Sequence, residues 1–149
     1  MSDLRELYQE IIIDHNRNPR NHREIINPSC QARGFNPLCG DKLTVYLLIN
    51  NGVIQDISFV GCGCAISQAS ASLMTDALQG KTVSDARHIF EDFHHMLTNN
   101  DDDIPLISVD KLAVLAGVRA FPARVKCATL AWHTLESALN KDDGMVSTE

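Results

Sequence analysis

Asn51-Gly52 is the feature that most narrows the folds open to this chain. Both residues tolerate positive φ, so the pair suits a two-residue type I′ turn, whose twist matches that of the strands it joins. Before it, Lys42–Asn50 alternates apolar and polar residues and is rich in β-branched side chains. After it, Val53–Val60 has strand composition with partial alternation. Cys30–Asn36, stopped by Pro37, is a third short strand, so the three runs form a meander. Folding the second strand back on the first brings the corner before one beside the corner after the other. Those corners are Pro37-Leu38-Cys39-Gly40-Asp41 and Gly61-Cys62-Gly63-Cys64, so Cys39 and Cys64, distant in sequence, meet at one end of the sheet.

Helical patterns surround this hairpin. Asp3 and Glu6 form a capping box for a first helix reaching about Asn16, with Leu4, Leu7, Tyr8, Ile11 and Ile12 as its apolar stripe. The basic run after it (His15, Arg17, Arg20, His22, Arg23) reads as a solvated helix end, with an acidic partner as the competing reading. Ala65–Leu78 is a helix closing on Gly80, with Ile66, Ala69, Leu73 and Ala77 on one face. Cys64 therefore opens a helix, where unpaired N–H groups and the dipole favour thiolate over thiol. Thr82 or Ser84 caps the next helix, which buries Val83, Ala86, Ile89, Phe90, Phe93 and Leu97. His94-His95 near its end is a poor metal pair, because adjacent helical side chains point about 100° apart. Asn99–Asp103, ending at Pro105, is an acidic loop without calcium-loop spacing. Asp110–Gly117 is a short helix, and Phe121-Pro122 starts the last long one, with Pro122 at its first turn. Cys127 lies early in that helix with the cations Arg124 and Lys126 nearby, which favour its thiolate, while Trp132 and His133 serve core packing or partner contact. The tail after Lys141 is polar and frayed.

No linker or repeat divides the 149 residues, so a single domain over 1–149, large enough for a core without disulfide staples, is expected. A formal charge of −6 excludes a basic nucleic-acid surface. No apolar run reaches membrane-spanning length and no signal-peptide pattern stands before the first helix, so the expectation is a cytoplasmic protein off the membrane. Thiols stay reduced there, which makes the five cysteines ligand or catalytic candidates rather than bridges. Cys39, Asp41, Cys64 and Cys127 offer three sulfurs and one carboxylate, a set that tetrahedral zinc accepts. Their spacing is not that of a zinc finger, so scattered structural cysteines remain the competing reading. A harder carboxylate among thiolates makes a site able to exchange a ligand, and Arg124 and Lys126 offset its negative charge.

Three segments carry a specific resemblance: Asn36-Pro37-Leu38-Cys39-Gly40-Asp41, Gly61-Cys62-Gly63-Cys64-Ala65-Ile66-Ser67, and Phe121-Pro122-Ala123-Arg124-Val125-Lys126-Cys127-Ala128-Thr129-Leu130-Ala131-Trp132. In this order they resemble the signatures of the IscU/SufU iron–sulfur assembly family, over nearly the whole chain. Lys126, where scaffold-type members carry histidine, and the insertion from about Asn99 to Ala120 point to the SufU branch. The resemblance implies an α+β fold, a three-stranded antiparallel sheet with about five helices against it. It implies Zn²⁺ on Cys39, Asp41, Cys64 and Cys127, with an iron–sulfur cluster held transiently on the same residues as the alternative. It further implies a sulfurtransferase rather than a classical turnover enzyme. This relay would accept persulfide sulfur from a SufS-type cysteine desulfurase and pass it to a SufBCD-type complex. Cys39 would be the acceptor, freed when the partner's histidine replaces it on the metal. Asp41 would keep the site labile, Cys64 and Cys127 would anchor it, and Arg124 would support docking or charge balance. Cys62 departs from the pattern and reads as a half-exposed thiol without a role, with a substitute ligand as the competing reading. Cys30 matches no signature and reads as a small strand residue.

Overall fold

The computed structural model describes residues 3–98, 110–140 and 145–147. In chain order these form α1 (Asp3–Arg17), β1 (Cys30–Asn36), β2 (Asp41–Asn50), β3 (Val53–Cys62), α2 (Ala65–Leu78), α3 (Val83–Thr98), a 3₁₀ segment (Asp110–Ala120), α4 (Pro122–Leu139) and β4 (Met145–Ser147). The architecture is α+β, with the expected antiparallel sheet β3-β2-β1 and five helical elements against it. The acidic loop at Asn99–Asp103 and the capping side chains Asp3 and Glu6 lie outside the described residues.

The hairpin forms as its turn dictates. Asn51 and Gly52 take φ of 53° and 75°, the double left-handed geometry of a type I′ turn, and Asn50 pairs with Val53. In β2, Leu43, Val45 and Leu47 are buried and alternate with more open neighbours. A register shift between Leu48 and Ile49 explains the imperfect alternation of β3, because it lets both Ile54 and Ile57 face the core.

One expectation fails at the C-terminus. Where a frayed tail is expected after Lys141, Met145–Ser147 runs parallel to β1, pairing with Arg33, Gly34 and Phe35. Without it β1 would expose a row of unpaired backbone groups at the sheet edge, and a short segment suffices to cover them.

Two further elements differ from their amphipathic reading. In α2 every residue from Ser67 to Thr75 is buried, so the helix is enclosed all round rather than presenting one stripe. Its small residues allow this, and its hydroxyls other than that of Ser67 find partners: Ser70 Oγ donates to the Ala128 carbonyl at 2.5 Å and accepts from Trp132 Nε1 at 3.2 Å. The basic run is a solvated end only in part: Arg17, His22 and Arg23 are exposed, but the segment is tied down. His15 is buried with Nδ1 2.7 Å from Ser72 Oγ, which also accepts from the Arg20 amide at 2.8 Å. Arg20 pairs with Asp14, and Arg23 grips both oxygens of Asp56 at 2.7 and 3.0 Å. The segment straps α1 to α2 and β3, and local acids neutralise its two best-placed arginines.

Thr82 is the residue that caps α3, accepting from the Asp85 amide at 3.0 Å. Phe90 and Phe93 of α3 stack on the fully buried Trp132 of α4, with ring centroids 5.8 and 4.7 Å away. His133 lies beside this cluster, edge-on to Phe90 and to His94. Burial, then the neighbouring charge of His94, lowers the proton affinity of its imidazole, with Glu136 opposing. No helix among the described residues is long and apolar enough to cross a membrane.

Candidate metal centre

Four elements converge at one end of the sheet. β1 ends at Asn36, which pairs with Asp41, the first residue of β2, and the turn between them carries Cys39. At the end of β3, Cys62 lies opposite Lys42, and the chain turns through Gly63 into Cys64. Gly63 is required there: a Cβ at that position would lie within 3.0 Å of the Asp41 Cβ and Cγ, and closer still to Oδ1. Cys64 is the N-cap of α2, and its sulfur accepts from the Ser67 amide at 3.4 Å. Cys127 comes from the first turns of α4, which begins with Phe121 as N-cap and Pro122 at its start.

The result is one cluster. The ligating atoms of Cys39, Asp41, Cys64 and Cys127 all lie within 4.8 Å of one another. Cys39 and Cys127 sulfurs are 3.0 Å apart, well beyond a disulfide bond, and both thiols are free. Asp41 is fully buried yet well held: Oδ1 accepts from the Cys64 amide at 2.7 Å and Oδ2 from Asn36 Nδ2 at 3.1 Å. The Cys64 sulfur lies 3.9 Å from Oδ2.

Such crowding of acids is unfavourable on its own. Burial raises the Cys127 thiol well above the usual range, and hydrogen bonds to Cys39 and Cys64 and the charges of Cys64 and Asp41 add to this. Burial thus outweighs the thiolate-favouring cations expected from the sequence. A cation among the donors reverses this balance, since it ionises coordinating thiols outright. Three sulfurs and one carboxylate oxygen, mutually close and largely shielded from water, suit a tetrahedral thiophilic ion such as zinc.

The remaining candidates separate cleanly. Arg124 is exposed and directs Nη1 at the Cys39 sulfur, 3.9 Å away. Its own proton is held more tightly by the cluster, Cys127 contributing most and the charges of Cys64 and Cys39 adding to it. Lys126 follows the helix round by about 100° from Cys127, and no hydrogen bond or ion pair among the described residues joins its ammonium to the four donors. Cys62 is exposed and outside the group, while Cys30 begins β1 opposite Leu47, at the far end of the strand. His94 faces His133 rather than joining His95 on an ion.

Residues 7–128 match the NifU-like N-terminal domain. The chain belongs to that family. Members similar to it include the zinc-dependent sulfurtransferase SufU of Bacillus subtilis strain 168, 38% identical over 96% of each chain. The iron–sulfur cluster assembly scaffold protein IscU of Streptococcus pyogenes serotype M1 is 35% identical over 95% of this chain and 87% of its own. Among solved structures, a putative iron–sulfur cluster assembly scaffold protein for the SUF system from Fervidobacterium islandicum AW-1 superposes with a TM-score of 0.83. It is 34% identical over 90% of this chain and 97% of that one. The sheet and helices described above are therefore the NifU-type fold of the IscU/SufU family.

Sequence reasoning missed one member of the site. Asn36, the last residue of β1, is completely buried and donates to both Asp41 and the Cys127 sulfur. The available signal was a polar residue at a strand position that the alternation Ala32, Gly34, Asn36 turns inward.

Proposed function

We propose that this protein is a zinc-dependent sulfur relay for iron–sulfur cluster assembly. It accepts sulfane sulfur on Cys39 from a SufS-type cysteine desulfurase and hands it to a SufBCD-type complex in the cytoplasm. The observation that carries this reading is how unequally the donors are held. Asp41 receives two hydrogen bonds, Cys64 one from the Ser67 amide, and Cys127 one from Asn36. Among the described residues, the Cys39 sulfur is in contact with the Cys127 sulfur and the exposed Arg124 alone, on a turn whose neighbour Leu38 is 63% exposed. Cys39 is thus the donor most able to leave: it gives up its contact with the Cys127 sulfur but no hydrogen bond from a backbone or side-chain amide. Asp41 belongs with the fixed donors, and whatever lability it lends comes from its hardness rather than from mobility.

Zinc, when bound to Cys39, Asp41, Cys64 and Cys127, supplies ionisation of the thiols near neutral pH. The Cys39 thiolate then attacks the terminal sulfur of the desulfurase persulfide. A new sulfur–sulfur bond forms on Cys39, the bond to the desulfurase cysteine breaks, and the electron pair leaves with that cysteine as thiolate. The exchange needs no outside oxidant or reductant. Arg124 stabilises negative charge on Cys39 from the solvent side, and the net acidity of the chain directs it to protein rather than nucleic-acid partners.

Mass spectrometry after incubating the zinc-loaded protein with desulfurase and cysteine is expected to find the added sulfur on Cys39. Its appearance on Cys62 instead, or on no cysteine, contradicts the relay. A second reading, a scaffold that builds a cluster on the same donors, is favoured by the relatives of that name. Lys126, standing next to Cys127 where a histidine would offer a further ligand, weighs against it. A stable visible chromophore after anaerobic reconstitution, with zinc displaced, would establish the scaffold.

A further inference from the structure

We propose that Asn36 is the positioning residue that decides which donor the metal centre releases. Its amide spends every hydrogen-bonding group it has on the site. One face of Nδ2 donates to Asp41 Oδ2 at 3.1 Å, and Nδ2 also reaches the Cys127 sulfur at 3.4 Å. Oδ1 accepts from the Leu38 amide at 3.3 Å, which fixes the start of the turn bearing Cys39. The chemistry admits no other orientation of this amide: a carboxylate and a ligand sulfur need donors, and the Leu38 N–H needs an acceptor. One rigid side chain at the end of β1 therefore joins donors from β2 and α4.

Two consequences follow. Asp41 and Cys127 are locked to each other, so neither leaves the ion without breaking a buried hydrogen bond. Cys39 is excluded from the lock: Asn36 holds the backbone at the base of its turn and makes no contact with its sulfur. Asn36 also lowers the cost of placing a buried carboxylate beside a buried thiol, because each anion receives an N–H.

The inference rests on the relay reading of this centre, and the test keeps the two apart. The full-length protein and its Asn36→Asp and Asn36→Ala variants are each titrated with zinc against a chromophoric chelator. They are also loaded with cobalt(II) for absorption spectra and assayed for the position of the sulfur taken from the desulfurase. Asn36→Asp keeps the shape but replaces the donor group with an acceptor facing Asp41 and Cys127. It is expected to weaken zinc binding by about 10–100-fold. The cobalt ligand-field bands should shift, and the added sulfur should spread from Cys39 to Cys127. Zinc held as tightly as by the unmodified protein, with an unchanged cobalt spectrum and sulfur still confined to Cys39, overturns the proposal. Failure of the unmodified protein to bind zinc would instead overturn the metal centre itself. Should neither variant fold, the unmodified protein loaded with a magnetic cadmium isotope decides. The Asn36 side-chain amide proton is then expected to show scalar coupling to cadmium through the Cys127 sulfur, and absence of that coupling contradicts the proposal.

Discussion

Cys39→Ala is expected to reduce sulfur acceptance, and any stimulation of the desulfurase, to the level of the desulfurase alone. Cys62→Ala is expected to retain both. The contrast is informative because both cysteines are accessible from the same corner, and Cys62 is the more exposed. Reactivity by exposure alone would favour Cys62. Membership of the four-donor group reverses that order in the relay reading, since a cation held there would take the Cys39 sulfur as thiolate and would leave Cys62, outside the group, untouched. Cys39→Ala removes the Cys127–Cys39 sulfur contact but leaves the amide hydrogen bonds to Asp41, Cys64 and Cys127, so the variant should fold and retain part of its metal affinity. Equal losses in the two variants, measured as persulfide per chain, would refute the assignment of Cys39.

The largest expected effect on stability lies elsewhere. Trp132→Ala should destabilise the fold by about 3–5 kcal/mol, the usual range for removing a large aromatic side chain from a packed core. Trp132 is fully buried between Phe90 and Phe93, and its indole N–H is satisfied by Ser70. The same Ser70 hydroxyl bonds the Ala128 carbonyl, one residue beyond Cys127, so this contact also fixes the turn of α4 that presents the sulfur. Urea unfolding with an unchanged slope and a lowered midpoint would register the loss. A decrease under about 1 kcal/mol, the size of an ordinary surface change, would show that Trp132 is not a keystone of the α3–α4 interface.

Much of this arrangement is legible in the sequence because it follows from short-range rules. Asn51-Gly52 specifies its own turn, and a tight hairpin leaves no freedom in which corners meet, so the approach of Cys39 to Cys64 needs no tertiary information. Cys64 as a helix cap and Pro122 as a helix start are equally local. What the sequence hides is pairing between distant side chains. His15 meets Ser72, and Asn36 meets Cys127, across separations that no periodicity encodes. The enclosure of α2 is hidden for a related reason: its serines look like the polar face of a surface helix until their partners on α4 and the strap are in place. The covering of β1 by Met145–Ser147 is invisible because so short a strand carries almost no pattern of its own. The burial of Cys127 reverses the local charge argument from Arg124 and Lys126, which counts nearby cations but not the loss of water.

X-ray absorption at the zinc edge, on the full-length protein with one equivalent of zinc, tests the central claim most directly. Three sulfur scatterers and one light oxygen scatterer are the predicted shell, with one sulfur lost on Cys39→Ala and the oxygen lost on Asp41→Ala. A shell dominated by oxygen or imidazole nitrogen, or one unaffected by both substitutions, would contradict it.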